Sequence, residues 1–203
     1  MFEWSQAHTL ESIMSQPTHI TALDLTFPPD EELPPGMQKY FSVCRDKLGM
    51  LPNVLAAYSH DPAQLEAFAN FYNTLMLSDG GLSKLERELI AVVVSSENSC
   101  FYCLTAHGAA VRQYSNDPAL GELMVMNYRV ADLSDRQRAM LDFAHKITTE
   151  PQAIEEVDRQ KLRDVGFSDK DIWDIANIAG FFNMTNRVAS AVDMQPNAEY
   201  HAS

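Results

Sequence analysis

Cys100, Cys103 and His107 stand three and four residues apart, so on a helix the two thiols and the imidazole share one face and can act on one another. Side chains three apart on a helix hold their Cβ atoms about 5–6 Å apart, whereas a disulfide needs about 3.5–4.5 Å. Cys100 is therefore expected at a loosened first turn, and the helix-start pair Asn98-Ser99 puts it there. A helix N-terminus stabilises a thiolate, the reactive form of cysteine, through its free amides and dipole. That placement points to redox chemistry. His107 can take a proton from Cys103 one turn away, or through a water. An imidazole does this best when a carboxylate holds its other nitrogen. Glu88 is the candidate, because it lies among Leu85, Leu89 and Val92 on or beside the apolar side of its own helix. Two other readings of the same residues stay open. The cysteines could be small apolar residues of a buried helix, although His107 on the same face argues against it. Cys100, Cys103, His107 and Glu88 could also form a four-ligand zinc set, but C-x-x-C-x-x-x-H on one helix is not the usual two-knuckle zinc arrangement.

The elements that must position these side chains all read as helices. Asp79-Gly80-Gly81 is a turn, and Ser83 with Glu86 has the capping-box form, which predicts a helix over about residues 84–96 that carries Glu88. The next helix is expected over about residues 100–113. Upstream, Met37, Tyr40, Phe41, Cys44 and Leu48 recur at helical spacing, and Pro52 and Pro62 suit the first turns of two further helices, the second capped by Asp61 and ending near residue 77. Downstream, Ser134 with Gln137 predicts a helix to about residue 148, and Pro151 interrupts. A helix through Val157 and Leu162 stops at Gly166, and a last long helix starts at Ser168 and runs through Ile172, Ile175, Ile178, Phe182 and Val188. The aliphatic run from Leu89 to Val94 has the composition of a buried strand, but its capping box favours a helix. The expectation is one all-α domain over residues 31–203 behind an irregular arm over residues 1–30, which Thr26-Phe27-Pro28-Pro29-Asp30 separates from the first helix.

Composition narrows the partners. The 203 residues contain 46% hydrophobic residues, enough for a sizeable core, and only 3 cysteines, which excludes a disulfide-dense secreted fold. The formal charge of -13 argues against binding nucleic acid, which rests on clustered Lys and Arg. The first twenty residues lack Lys, Arg and a continuous apolar stretch, and the Leu89–Val94 run is far short of the roughly 20 residues that cross a bilayer, so no membrane partner and a cytoplasmic location are expected. Cys44 is expected to be a buried free thiol. His8, His19 and His201 fall in arms, while His60 and His145 read as surface or capping residues. Asn183, Asn186 and Arg187 share one face of the last helix and read as a solvated stripe, or as the lining of an entrance or interface.

A weak repeat links Leu82-Ser83-Lys84-Leu85-Glu86-Arg87-Glu88-Leu89-Ile90 to Leu133-Ser134-Asp135-Arg136-Gln137-Arg138-Ala139-Met140-Leu141, with Ala139 where the first copy has Glu88 and no cysteines after it. Glu88, eleven residues, then Cys100-x-x-Cys103-x-x-x-His107 resembles the signature of the alkylhydroperoxidase D family, within the wider carboxymuconolactone decarboxylase-like group, and more closely its peroxidase-related branch. Leu51-Pro52-Asn53-Val54 and Phe182-Asn183-Met184-Thr185-Asn186-Arg187 extend the likeness along the chain. The resemblance implies an all-α fold with a duplicated helical unit, homo-oligomerisation, and thiol-dependent reduction of hydroperoxides without metal or cofactor. It implies that Cys103 attacks the peroxide, Cys100 resolves the sulfenic acid to a disulfide, and Glu88 and His107 relay protons. A lipoyl-bearing or thioredoxin-like dithiol protein would be the electron donor. The chain departs from the family pattern at Tyr102, where a second histidine stands. A non-redox decarboxylase or isomerase of a small cyclic acid, and a redox sensor whose disulfide changes assembly, are the alternatives.

Overall fold

Capping chemistry sets the helix boundaries. In the computed structural model, which describes residues 17–201, there are nine α-helices and four short 3₁₀ turns, and no described residue lies in a strand. The expected all-α class is what the chain adopts. Residues 17–29 hold no helix, yet they are seated: Ala22 N–H donates to the Val192 carbonyl at 2.9 Å and Gln195 N–H to the Ile20 carbonyl at 3.1 Å. The rest of the expected arm, with His8, lies outside the described residues.

Helix α1, Pro35–Leu48, buries Phe41 and Cys44 and ends on Gly49 at φ 73°, a left-handed conformation that glycine adopts without a Cβ clash. Helix α2, Asn53–Tyr58, begins after Pro52, and α3, Pro62–Met76, begins where the Asp61 carboxylate accepts the Ala63 and Gln64 amides. In α4, Lys84–Glu97, and α7, Asp135–Thr149, both expected capping boxes form. Helix α5 spans Phe101–Ser115, α8 spans Glu156–Asp164, and α9 spans Asp169–Ala191.

Helix α6, Pro118–Asn127, has no counterpart in the sequence expectation. Its start repeats that of α3, because Asp117 accepts the Ala119 amide just as Asp61 accepts that of Ala63. Apart from Glu122 and the final Asn127 its residues are apolar or small, so they give no amphipathic period to read.

Helix α4 is the centre of the bundle and packs against α5, α6, α7 and α9. Residues Leu89, Ile90, Ala91, Val92, Val93 and Val94 are all 0% exposed, which settles the aliphatic run as a core helix. Truncating one of its larger side chains to alanine would cost about 2–5 kcal/mol through the cavity left behind. The repeat is structural as well as sequential. Arg87 donates to the carbonyls of Leu82 and Leu75, and Arg138, at the matching position, donates to those of Ala131 and Tyr128. In both units an arginine one turn into the second helix satisfies carbonyls at the end of the segment before it.

Candidate active site

Helices α4 and α5 join with almost no linker, and that junction places Cys100. Cys100 N–H donates to the Ser95 carbonyl and Ser99 N–H to the Ser96 carbonyl, each at 3.0 Å, the double bond of a Schellman turn. Ser99 takes the left-handed position at φ 52°, which costs a residue with a Cβ about 1–2 kcal/mol relative to glycine. Cys100 then serves as the N-cap residue of α5. This corrects the expectation that Asn98-Ser99 caps α5. Asn98 instead ends α4, and its side chain turns inward to donate to the Val94 carbonyl at 3.0 Å.

At the N-cap, Cys100 lies within reach of free helix amides, and it is 1% exposed. Its thiol is drawn down to about 6, first by the hydrogen bond from the Cys103 thiol, then by the Cys103 backbone amide and the side chains of Ser190 and Asn186, all against the cost of burial. Cys103 moves the opposite way. As hydrogen-bond partner of Cys100 it is held well above the usual thiol range, and burial beside a negative sulfur adds to the shift. The contact thus pushes the two thiols apart, Cys100 toward the thiolate and Cys103 toward the protonated thiol.

The acid from the neighbouring helix reaches the ring. Glu88 Oε2 lies 2.6 Å from His107 Nδ1, with both side chains largely buried, and Phe182 meets the imidazole edge-on at 4.6 Å between ring centroids. These contacts fix the ring so that Nδ1 faces the carboxylate and Nε2 is the nitrogen left for proton exchange. The structure therefore brings Glu88 to His107 across two helices and sets Cys100 and Cys103 side by side at the mouth of α5.

Tyr102 packs in one buried cluster with Cys100 and Cys103 and lines the pocket beside Cys100, but its hydroxyl bonds elsewhere. Its phenol accepts the Val54 amide at 3.0 Å and bonds the Tyr200 side chain, so it ties α5 to α2 and to the C-terminal turn. A pocket opens beside Cys100 between two helix ends, with Ser99 and Phe101 on one side and Ser190, Asp193 and Met194 on the other; Cys103 does not line it.

The polar stripe on α9 is not solvated throughout. Asn186 is 0% exposed and hydrogen-bonds both cysteines, Asn183 is half-buried, and only Arg187 is exposed. Sequence reading missed Ser95, Ser190 and Asn186 as thiol partners. A signal existed for Asn186, since it continues the core-facing series Ile175, Ile178, Phe182 where an apolar residue is expected. The remaining nominations bond other partners. Cys44 is buried as expected, His60 bonds the Ala57 carbonyl at the end of α2, and His145 pairs with Glu97. His19 pairs with Asp193, and His201 stacks on Phe101. No group of three or more described His, Cys, Asp or Glu residues is arranged to hold a metal ion, and no described helix is long and apolar enough to cross a membrane.

Residues 62–146 match the carboxymuconolactone decarboxylase family model. A search of curated proteins finds no match. Among solved structures, the chain is similar to a peroxidase-related protein from Silicibacter sp. TM1040, with 63% identity over 94% of this chain and 98% of that one and a TM-score of 0.89. It is also similar to an alkylhydroperoxidase AhpD core, peroxidase-related protein from Ralstonia eutropha JMP134, with 41% identity over 92% and 96% of the two chains and a TM-score of 0.85. The debrominase Bmp8, 22% identical over 93% and 97% with a TM-score of 0.73, shares the fold.

Proposed function

The chain belongs to the alkylhydroperoxidase D and carboxymuconolactone decarboxylase-like family, and from that premise we propose that it is a thiol-dependent oxidoreductase that reduces organic hydroperoxides. The observation that carries this reading is a buried pair of thiols at the mouth of α5, on the helix whose imidazole, His107, is bonded to Glu88 at 2.6 Å.

In the proposed cycle His107, one turn along α5, takes the Cys103 proton, and the Cys103 sulfur attacks the terminal oxygen of the hydroperoxide. The O–O bond breaks, the alkoxide leaves as the alcohol with the proton from His107, and Cys103 becomes a sulfenic acid. Cys100, already a thiolate, attacks that sulfur. The S–S bond forms, and the departing hydroxide takes a proton from solvent to become water. Two electrons pass from the two sulfurs to the peroxide. A dithiol donor, lipoyl-bearing or thioredoxin-like, reduces the disulfide by exchange, and Cys100, which lines the pocket, is the sulfur proposed to receive it. The enzyme is proposed to act as a cytoplasmic homo-oligomer.

Mapping the thiols by mass after treating reduced protein with cumene hydroperoxide tests this. A Cys100–Cys103 link is expected in the parent, and sulfenic acid on Cys103 in Cys100→Ser. Sulfenic acid on Cys100 in Cys103→Ser would reassign the attacking sulfur, and no link in a folded parent sinks the peroxidase reading. Retention of a decarboxylase or isomerase activity by the double serine variant would favour the non-redox alternative.

A further inference from the structure

We infer that Asn186 is a hydrogen-bond donor to the Cys100–Cys103 pair that favours its ionised form, and that Asn98 is the positioning residue that aims it. This deepens the dithiol reading above and rests on it only in taking the pair to be the reactive group.

The orientation of each amide follows from groups that can bond in one way only. The Val94 backbone carbonyl can only accept, so the group facing it at 3.0 Å must be the NH₂ of Asn98. That NH₂ also lies 3.0 Å from Asn186 Oδ1 and 3.1 Å from Asn183 Oδ1. Asn183 is fixed the same way, because its own NH₂ donates to the Ala179 carbonyl. With its oxygen taken by Asn98, Asn186 has its NH₂ pointing away from Asn98. One bond runs from that NH₂ to Ser95 Oγ at 2.9 Å, and the group also hydrogen-bonds the sulfurs of Cys100 and Cys103.

Burial makes these bonds count. Asn186 and Ser95 are 0% exposed, so no solvent replaces a lost donor, and bonds to a charged acceptor are the stronger kind. The charged groups nearby are already engaged. Glu88 of α4 and His107 of α5 bond each other, Arg187 of α9 bonds the Asn183 oxygen, and Asp193 beyond α9 bonds His19. From α9 the pair thus meets neutral donors only, the Asn186 amide and the Ser190 hydroxyl. The benefit of the amide exists only while a sulfur is ionised and vanishes in the disulfide, so Asn186 favours the reduced, reactive form.

The test is native-state alkylation with iodoacetamide across pH, which needs no peroxide turnover and can therefore fail independently of the peroxidase reading. Asn186→Leu, which keeps the volume and removes the donors, is expected to move the Cys100 midpoint up by about one unit or more, slowing alkylation at pH 5 by about tenfold. Asn98→Ala, which touches no sulfur, should shift it the same way by less. In parent protein carrying ¹⁵N-asparagine, the Asn186 side-chain amide signals should move as Cys100 ionises and again on oxidation. That measurement does not depend on any variant folding. A folded Asn186→Leu with the parent's alkylation profile, or parent amide signals indifferent to both ionisation and oxidation, overturns the inference.

Discussion

The two halves of the repeat, α3–α4 and α6–α7, begin alike and end differently. Each opens on an Asp-Pro helix start, passes through a turn into a Leu-Ser capping box, and anchors an arginine on the preceding carbonyls. Yet every residue of α4 from Glu86 to Ser95 is buried, whereas α7 buries only Met140, Leu141, Phe143 and Ala144. Helix α4 is enclosed by its neighbours, and a carboxylate there must find a partner, which Glu88 does in His107. The matching residue on α7 is Ala139, and the polar side chains of that helix bond at the rim, as Lys146 does with Asp158. A shared start signal sets where a helix begins. What surrounds the helix decides whether its polar residues become chemistry or surface.

The largest expected effect separates the halves outright. Cys103→Ser should reduce peroxide turnover to the uncatalysed background, while His145→Ala in the second unit leaves it unchanged; equal losses in a coupled peroxidase assay would break the comparison. Next, Glu88→Gln keeps the shape of the buried pair but removes its charge, and should slow thiol oxidation at neutral pH by about a hundredfold. An unchanged pH–rate profile would remove Glu88 from the relay.

The reactive species is the deprotonated sulfur, and the Cys100 midpoint lies at about 6. Alkylation of the parent should therefore rise about tenfold from pH 5 to pH 7 and then level off. Absorbance at 240 nm should show a single site thiolate in that window, because Cys103 keeps its proton until well above it. Two thiolates appearing together would contradict the shared-proton pair.

The smallest effects sharpen the comparison. Ser83→Ala and Ser134→Ala each remove one capping-box bond and should cost about 1 kcal/mol in urea denaturation. Only Ser83→Ala should also slow thiol oxidation, since α4 carries Glu88.

Much of this architecture was legible from neighbours in sequence. Asp61, Ser83, Ser134 and Ser168 each announced a helix, and the Cys100, Cys103, His107 spacing with Glu88 upstream named the residues that the fold brings together. Helix α6 escaped notice because its apolar residues lack a period, although Asp117-Pro118 repeats Asp61-Pro62. Asn98-Ser99 misled in a different way. It ends α4 in a Schellman turn whose left-handed residue is Ser99 rather than the usual glycine.

The sequence by itself determined where most of the helices start and that two thiols meet at a helix mouth. Those features arise from contacts within about one turn of helix, which residue type and spacing encode directly. Only the tertiary structure decided that Glu88 reaches His107, that Tyr102 anchors α2, and that a buried amide from α9 faces the sulfurs. Asn98 and Asn186 are 88 positions apart, and what joins them is the packing of α9 across the end of α4, where burial leaves each polar atom only the partners the fold supplies.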